Sequence, residues 1–339
     1  MNEQLTPERI ERRESMKGKS RYTLVSDLKR EVLEDLVAAT PNVQLLNIAL
    51  FDDTTFNISD LSELKDLLGL KLLEGPELTS ISLEGIQEFN QLTGLEINVN
   101  SAGIDEIDLT PLLNHPELAV ITISCPAKNL KGLDAFNTIP NLQSIGLYSL
   151  DIHEIDLTSL TSCKKLESIY MGDLGQENPT VPYKISLPKN SSLKIVEISE
   201  CYSEELRVEL DFSFLEGLES LDSLALVNCN LTNFDFNQIS SLKRIGKIDL
   251  TNNKITHLDV TPIIAKPMFT ERALGEPSFS IDEEVVIQIA KSKEKEVIAL
   301  IGKPDEIVED HKGSFAIEYE FGHKWLKNVI DSHDVEWIL

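Results

Sequence analysis

The stretch Leu142-Gln143-Ser144-Ile145-Gly146-Leu147, followed by Ile152-His153-Glu154-Ile155-Asp156-Leu157-Thr158-Ser159-Leu160, carries two apolar beats of different kinds. In the first, L-x-x-L-x-L, the last two apolar residues are two apart, the spacing of side chains on one face of a short strand. With Ile or Val substituting for Leu, that beat starts at Val43, Leu67, Leu92, Leu118, Leu142, Leu166, Leu193, Leu221 and Ile245. The steps between starts are 24, 25, 26, 24, 24, 27, 28 and 24 residues, so a near-constant period, not local propensity, organises the chain. The second beat recurs at Ile104–Leu112 and Ile255–Ile263, where it reads I-x-x-I/L-D-L/V-T-P-L/I. Degenerate copies run over Leu78–Ile86, Leu206–Leu215 and Leu231–Ile239.

A unit of this length cannot bury its own apolar side, but stacked units share one continuous aliphatic core. Over residues 43–265 the pattern resembles the leucine-rich-repeat superfamily. The resemblance implies an α/β fold: a curved solenoid of about nine repeats with a parallel concave β-sheet. It also implies a ladder of Asn or Cys eight residues after each first Leu, to satisfy inward-facing backbone groups. Here that slot holds Asn100, Cys201, Cys229 and Asn253, whereas Phe51, Gly75, Pro126, Leu150 and Leu174 interrupt it. Cys163-Lys164-Lys165-Leu166 resembles bacterial surface-type repeats, which place a Cys three before the Leu.

Composition narrows the function. Across 339 residues, 31 Lys and Arg stand against 57 Asp and Glu, a net charge of −26. Such a chain lacks the basic surface that phosphate backbones or anionic membranes require, so neither nucleic acid nor membrane is expected as a partner. No apolar run reaches the ~18 residues of a membrane span, and the charged start shows no secretory h-region. Four cysteines without a C-x-x-C pair point to a reducing, cytoplasmic compartment, and no zinc spacing is present.

The expected organisation is a basic arm and helical cap (1–42), the repeats (43–265) and a C-terminal α+β cap (266–339). Thr6-Pro7 starts a first helix, and a second is expected from Ser26 to Ala39 with Leu28, Val32, Leu33, Leu36 and Val37 on one face. The first 30 residues hold eight Lys or Arg against five acids and read as a solvated tail. Leucine falls from 45 in residues 1–266 to 4 in the last 73, which marks the change at the C-terminal unit. There, 281–301 reads as one or two helices, Ser314–Phe321 as a strand and Gly322–Ile330 as a helix with Trp325, Val329 and Ile330 inward.

Residues two, four and six after each first Leu fall on the concave face. The row at four reads Asn47, Lys71, Glu96, Thr122, Gly146, Tyr170, Glu197, Ala225, Asp249, and only five of the 27 positions are charged. The candidate partner-binding residues are Tyr148, Tyr170, Glu96, Glu197, Asp249 and Lys71, with the two tyrosines expected within diagonal reach of one another. Insertions at Gly172–Pro182 and Cys201–Glu205 are further candidate binding loops. The reading is a non-enzymatic, monomeric scaffold or adaptor that takes a protein partner, with a basic segment favoured by the acidic exterior. No cofactor or metal is expected, since no catalytic, phosphate-cradling or calcium motif is present. The competing reading is an enzyme or effector whose activity lies in the C-terminal unit, with the repeats selecting the substrate.

Overall fold

The computed structural model describes residues 6–25, 30–174, 183–201, 208–271, 279–303, 306–310 and 317–339. The fold is a leucine-rich-repeat solenoid, and its own packing shows why. All 27 residues at the first, fourth and sixth positions of the nine L-x-x-L-x-L motifs are 0–2% exposed. Each motif supplies one strand, and neighbouring strands pair parallel at equivalent positions, as in Leu46↔Leu70↔Leu95↔Ile121↔Ile145. Such a register lets identical positions stack into apolar columns. Each buried Leu or Ile then contributes about 1.5–3 kcal/mol.

The chain divides into two compact units, Met1–Ile152 with Ser159–Leu166 and Gly175–Glu177, and His153–Thr158 with Glu167–Leu174 and Asn178–Leu339. In the first, six parallel strands run in the order Arg21–Val25, Leu45–Ala49, Gly69–Glu74, Gly94–Val99, Val120–Ser124, Ser144–Tyr148. In the second, five run in the order Ser168–Gly172, Ile195–Ser199, Ser220–Val227, Arg244–Asp249, Phe279–Ser280. Opposite these lie short strands such as Glu106–Asp108 with Asn129–Lys131, and Glu154–Asp156 with Tyr183–Ser186 and Val208–Asp211. A 3-10 turn follows each of these strands except Tyr183–Ser186, and in the repeats that carry the D-L/V-T motif its Asp opens that turn. Asp108 and Asp259 accept from the Thr110 and Thr261 amides at 2.9 Å, and Asp156 does the same for Thr158. The D-L-T motif is therefore a strand end and a turn cap.

How the strand turns away from the long sheet comes in two forms. In six repeats the residue seven after the first Leu is left-handed: Glu74, Ser149, Asp173, Glu200, Asn228 and Asn252, with φ of 52–61°. The following residue then points inward, as with Leu150, Leu174, Cys201 and Cys229, all 2% exposed or less. In the other three, Leu50, Val99 and Cys125 are themselves inward and buried without a left-handed residue.

Helix α1 (Pro7–Met16) is capped by Thr6, whose Oγ1 accepts from the Arg9 amide at 3.3 Å. Helix α2 spans Arg30–Ala39, and the first four residues of the expected second helix lie outside the described residues. Arg21–Val25, not foreseen from the sequence, adds a strand to the sheet beside Leu45–Ala49. Nor is the arginine-rich segment a solvated tail. Arg9, Arg12 and Arg13 converge on the fully buried Asp35 of α2 at 3.0, 3.0 and 2.7 Å. Burial alone pushes this carboxyl up, but the hydrogen bonds from Arg9 and Arg13 outweigh it and hold it below the usual carboxylate range.

Beyond residue 265 the strand pairing continues. Phe279 pairs with Ile248, and Val286–Ala290 pairs with His257–Asp259 on one side and Val335–Ile338 on the other. The expected helix over 281–301 is thus confined to α3 (Glu294–Ile301), because Val286-Ile287-Gln288-Ile289 alternates with period two and buries both Ile287 and Ile289. Met268–Glu271, Ile317–Gly322 and Glu306–Asp310 form an antiparallel sheet, and α4 (Lys324–Ser332) buries Trp325, Leu326 and Val329. A chain of ring contacts links the last repeats to this unit: Phe212–Phe234 at 5.2 Å, Phe234–Phe236 at 5.0 Å, Phe236–Phe279 at 5.9 Å and Phe279–Trp325 at 5.2 Å.

Candidate functional site

The exposed face of the long sheet is built from the residues between the buried columns, and parallel pairing sets them in rows. The row at four runs Asn47, Lys71, Glu96, Thr122, Gly146 in the first unit and Tyr170, Glu197, Ala225, Asp249 in the second. Lys71 and Glu96 meet as an ion pair at 2.6 Å, each about a third exposed. Glu197 accepts from the Ser223 hydroxyl at 3.0 Å. Asp249 accepts from the Thr251 amide and hydroxyl and faces Lys247 at 3.5 Å, so much of its capacity is used within its own strand end. Tyr148 lies two residues beyond Gly146, where a Cβ would come within 2.9 Å of its ring. Tyr148 belongs to the first unit and Tyr170 to the second.

One step along the strands, the row at two reads Arg21, Leu45, Gly69, Gly94, Val120, Ser144. Two adjacent glycines leave a notch between Leu45 and Val120, and the ion pair Lys71–Glu96 flanks it. The resulting groove has a volume of about 310 Å³, with Arg21 at one end and Thr122 on its wall. That is the lower end of ligand-sized pockets, ~300–1,000 Å³. Val120 is 44% exposed, unusual for a valine in mid-sheet. Arg21 is exposed and has no ion-pair partner among the described residues, in a chain whose other groove cation, Lys71, is paired.

No protein-family model matches the chain. A curated relative, the non-catalytic subunit of Oplophorus-luciferin 2-monooxygenase from Oplophorus gracilirostris, is 24% identical over 215 residues. The match takes in 59% of this chain and 54% of that protein, so the chain spans about half the length of the curated relative it matches. Among solved structures, internalin C2 of Listeria monocytogenes is 19% identical, with 76% of this chain and 88% of that chain covered at a TM-score of 0.39. The APL1 leucine-rich repeat domain is 13% identical over 87% of this chain and 88% of that one, with a TM-score of 0.43. A chain of the Drosophila Toll–Spatzle complex is 15% identical over 84% and 45%, with a TM-score of 0.41.

The inward slot behind the sheet is structural, and it differs in part from the expected ladder. Asn253 donates Nδ2 to the Leu226 and Leu250 carbonyls at 2.7 Å and accepts at Oδ1 from the Cys229 and Leu231 amides at 3.1 Å. The Cys229 thiol donates to the Ile198 and Val227 carbonyls at 3.4 Å, and Cys201 to Ser199 at 3.3 Å. Asn100 is not a ladder residue: it is exposed, because its strand runs on to Val99, which turns inward in its place. The buried hydroxyl of Ser101 takes over, donating to the Leu78 carbonyl and accepting from the Gly103 amide.

All four cysteines are free and buried. Burial pushes the Cys125 and Cys229 thiols up to about 12 and raises Cys163 and Cys201 as well, so none is an activated nucleophile. Among the described residues no group of three or more His, Cys, Asp or Glu side chains could hold a metal ion, and no helix is long and apolar enough to cross a membrane. His115 is fully buried, and its Nδ1 accepts from the Leu118 amide at 3.3 Å. The candidate loops at 175–182 and 202–205, like His311 of the C-terminal unit, lie outside the described residues.

Sequence reasoning named Lys71 and Glu96 but missed the notch beside them. The signal was there: glycine stands two after the first Leu in two successive repeats. Arg21 was hidden because its strand begins before the first repeat motif.

Proposed function

We propose that the chain is a non-catalytic protein-interaction scaffold that presents the exposed face of its long parallel sheets to a protein partner. The observation that carries this reading is the in-register face itself. It holds small and uncharged side chains broken by a few tyrosines and charges, over an aliphatic core that fixes their spacing. Interfaces of this composition concentrate binding energy in a few aromatic and charged residues. The likeness to a protein named as a non-catalytic subunit supports a role without chemistry of its own. The four free thiols fit a reducing compartment, the acidic exterior would steer a partner with basic surface toward the protein, and the scaffold acts as a monomer.

The test is partner capture with the purified chain as bait, followed by calorimetric titration of the captured protein. Tyr170→Ala/Glu197→Lys and Lys71→Glu/Glu96→Lys alter the face without touching the core. Binding weakened at least tenfold by either pair is the expected result. A partner that binds both variants as it binds the wild type would remove the sheet face from consideration.

A further inference from the structure

Resting on that scaffold reading, we infer that the Gly69–Gly94 notch is an anchor pocket for one apolar side chain of an extended partner segment, with an acidic residue beside it held by Arg21. Three features of the groove converge on this occupant. First, the notch is apolar along its row: Leu45 closes one side and the 44%-exposed Val120 the other, about three strand spacings apart, ~14 Å at ~4.8 Å each. Second, it is open. A Cβ built on Gly94 meets nothing within 4 Å, and one on Gly69 meets only the movable tip of Leu45 at 2.8 Å. Third, the charges are asymmetric. Lys71 and Glu96 neutralise each other at 2.6 Å, which leaves Arg21, exposed and without an ion-pair partner among the described residues, as the uncompensated charge lining the groove.

That local sign is opposite to the net charge of −26 over the whole chain. A guanidinium in such surroundings selects a carboxylate, and its planar fork suits bidentate pairing. The shallow, strand-lined shape suits a partner segment lying across the strands and lowering a leucine- or phenylalanine-sized group into the gap. The basic surface expected of the partner by long-range steering and the acidic residue expected at the notch are different parts of the same partner.

The probe is an array of immobilised dodecapeptides with a central Leu or Phe flanked by Asp and Glu, by Lys, or by Ser, tested with the full-length chain. Retention on the acidic-flanked Leu and Phe peptides, at least tenfold above the Lys-flanked ones, is expected. Gly94→Leu fills the notch where there is free space, so it should fold and lose this retention at least tenfold. Arg21→Glu, a surface change, should turn the preference toward Lys-flanked peptides. No retention on any peptide, equal retention regardless of flanking charge, or a Gly94→Leu protein that binds like the wild type would each overturn the inference. If the captured partner is lost from Tyr170→Ala/Glu197→Lys while Gly94→Leu binds it normally, the scaffold reading stands and the notch alone falls.

Discussion

Asn253 joins two repeats through one side chain: it accepts from the amide of Cys229 at 3.1 Å, 24 residues earlier, while donating to the carbonyls of Leu226 and Leu250. Its own backbone amide and that of Asn252 are held in turn by the carboxylate of Asp282, at 3.1 and 2.7 Å. The inward turn of the ninth repeat is therefore tied to both of its neighbours.

Asn253→Leu removes the side chain's bonds to Cys229, Leu231, Leu226, Leu250 and Thr251 and leaves inward carbonyls and amides without partners. At ~1–3 kcal/mol for each unsatisfied group, with part of the loss recovered by relaxation, a destabilisation of about 3 kcal/mol in urea unfolding is expected. Asn100→Leu, at the exposed equivalent position, should cost less than about 0.5 kcal/mol. Equal effects of the two would mean that the inward slot is wrongly placed.

Asp35 carries the N-terminal helix. Asp35→Ala strips a buried carboxylate from three arginines and should cost about 3–5 kcal/mol, read as the loss of the first unit's most stable transition. The carboxyl is held below its ordinary value near 3.8. Its contribution is thus fully present above that pH and is lost as pH falls through the folded value. Acid unfolding of Asp35→Asn should accordingly be shallower than that of the wild type below pH 4.

His115 titrates the other way. Burial lowers its pKa below 6.5, against a weaker pull from the Ile86 and Phe89 carbonyls toward the protonated form. The unfolded chain therefore takes up a proton first. Stability is constant above about pH 7, falls below 6.5 by up to ~1.4 kcal/mol per pH unit, and levels off under the folded value. His115→Leu should abolish that slope just below pH 6.5, whatever it does to stability at neutral pH. A slope unchanged in the variant would assign it to another group.

Phe279→Ala interrupts the ring chain between Phe236 and Trp325 and should cost about 3–5 kcal/mol. The same change should shift Trp325 emission to longer wavelength, because Phe279 packs on the indole at 5.2 Å. Preserved emission with lost stability would show that α4 holds its place without the rings.

Folded protein should resist iodoacetamide at pH 8, since the thiols of Cys125 and Cys229 sit at about 12 and all four are buried. Labelling of any cysteine without global unfolding would identify a repeat that opens on its own.

The nine core motifs were fully legible because each buried position is announced by three apolar residues at fixed spacing, and packing admits nothing else there. Asn100 and Ser101 show where legibility stops. Whether the chain leaves the strand through a left-handed residue decides which side chain faces in, and Glu74 and Ser149 adopt that conformation with no glycine to signal it. Arg21–Val25 and Val286–Ala290 escaped because a strand completed by a neighbour's edge needs no motif of its own. The candidate site was legible in Lys71 and Glu96, but not in Arg21, which precedes the first motif, nor in its shape, because the gap beside them is made by missing side chains.

The ties across the repeats share one property. Lys65–Glu88, Lys128–Asp105, Lys131–Asp108, Lys194–Glu167 and Cys229–Asn253 each bridge residues 23 to 27 apart in sequence. Each of these coils is thus fastened to its neighbour, as links are in a chain. Pulled from its two ends, a molecule built this way yields link by link. Each release of about 24 residues lets out roughly 80 Å of slack, at ~3.4 Å per residue.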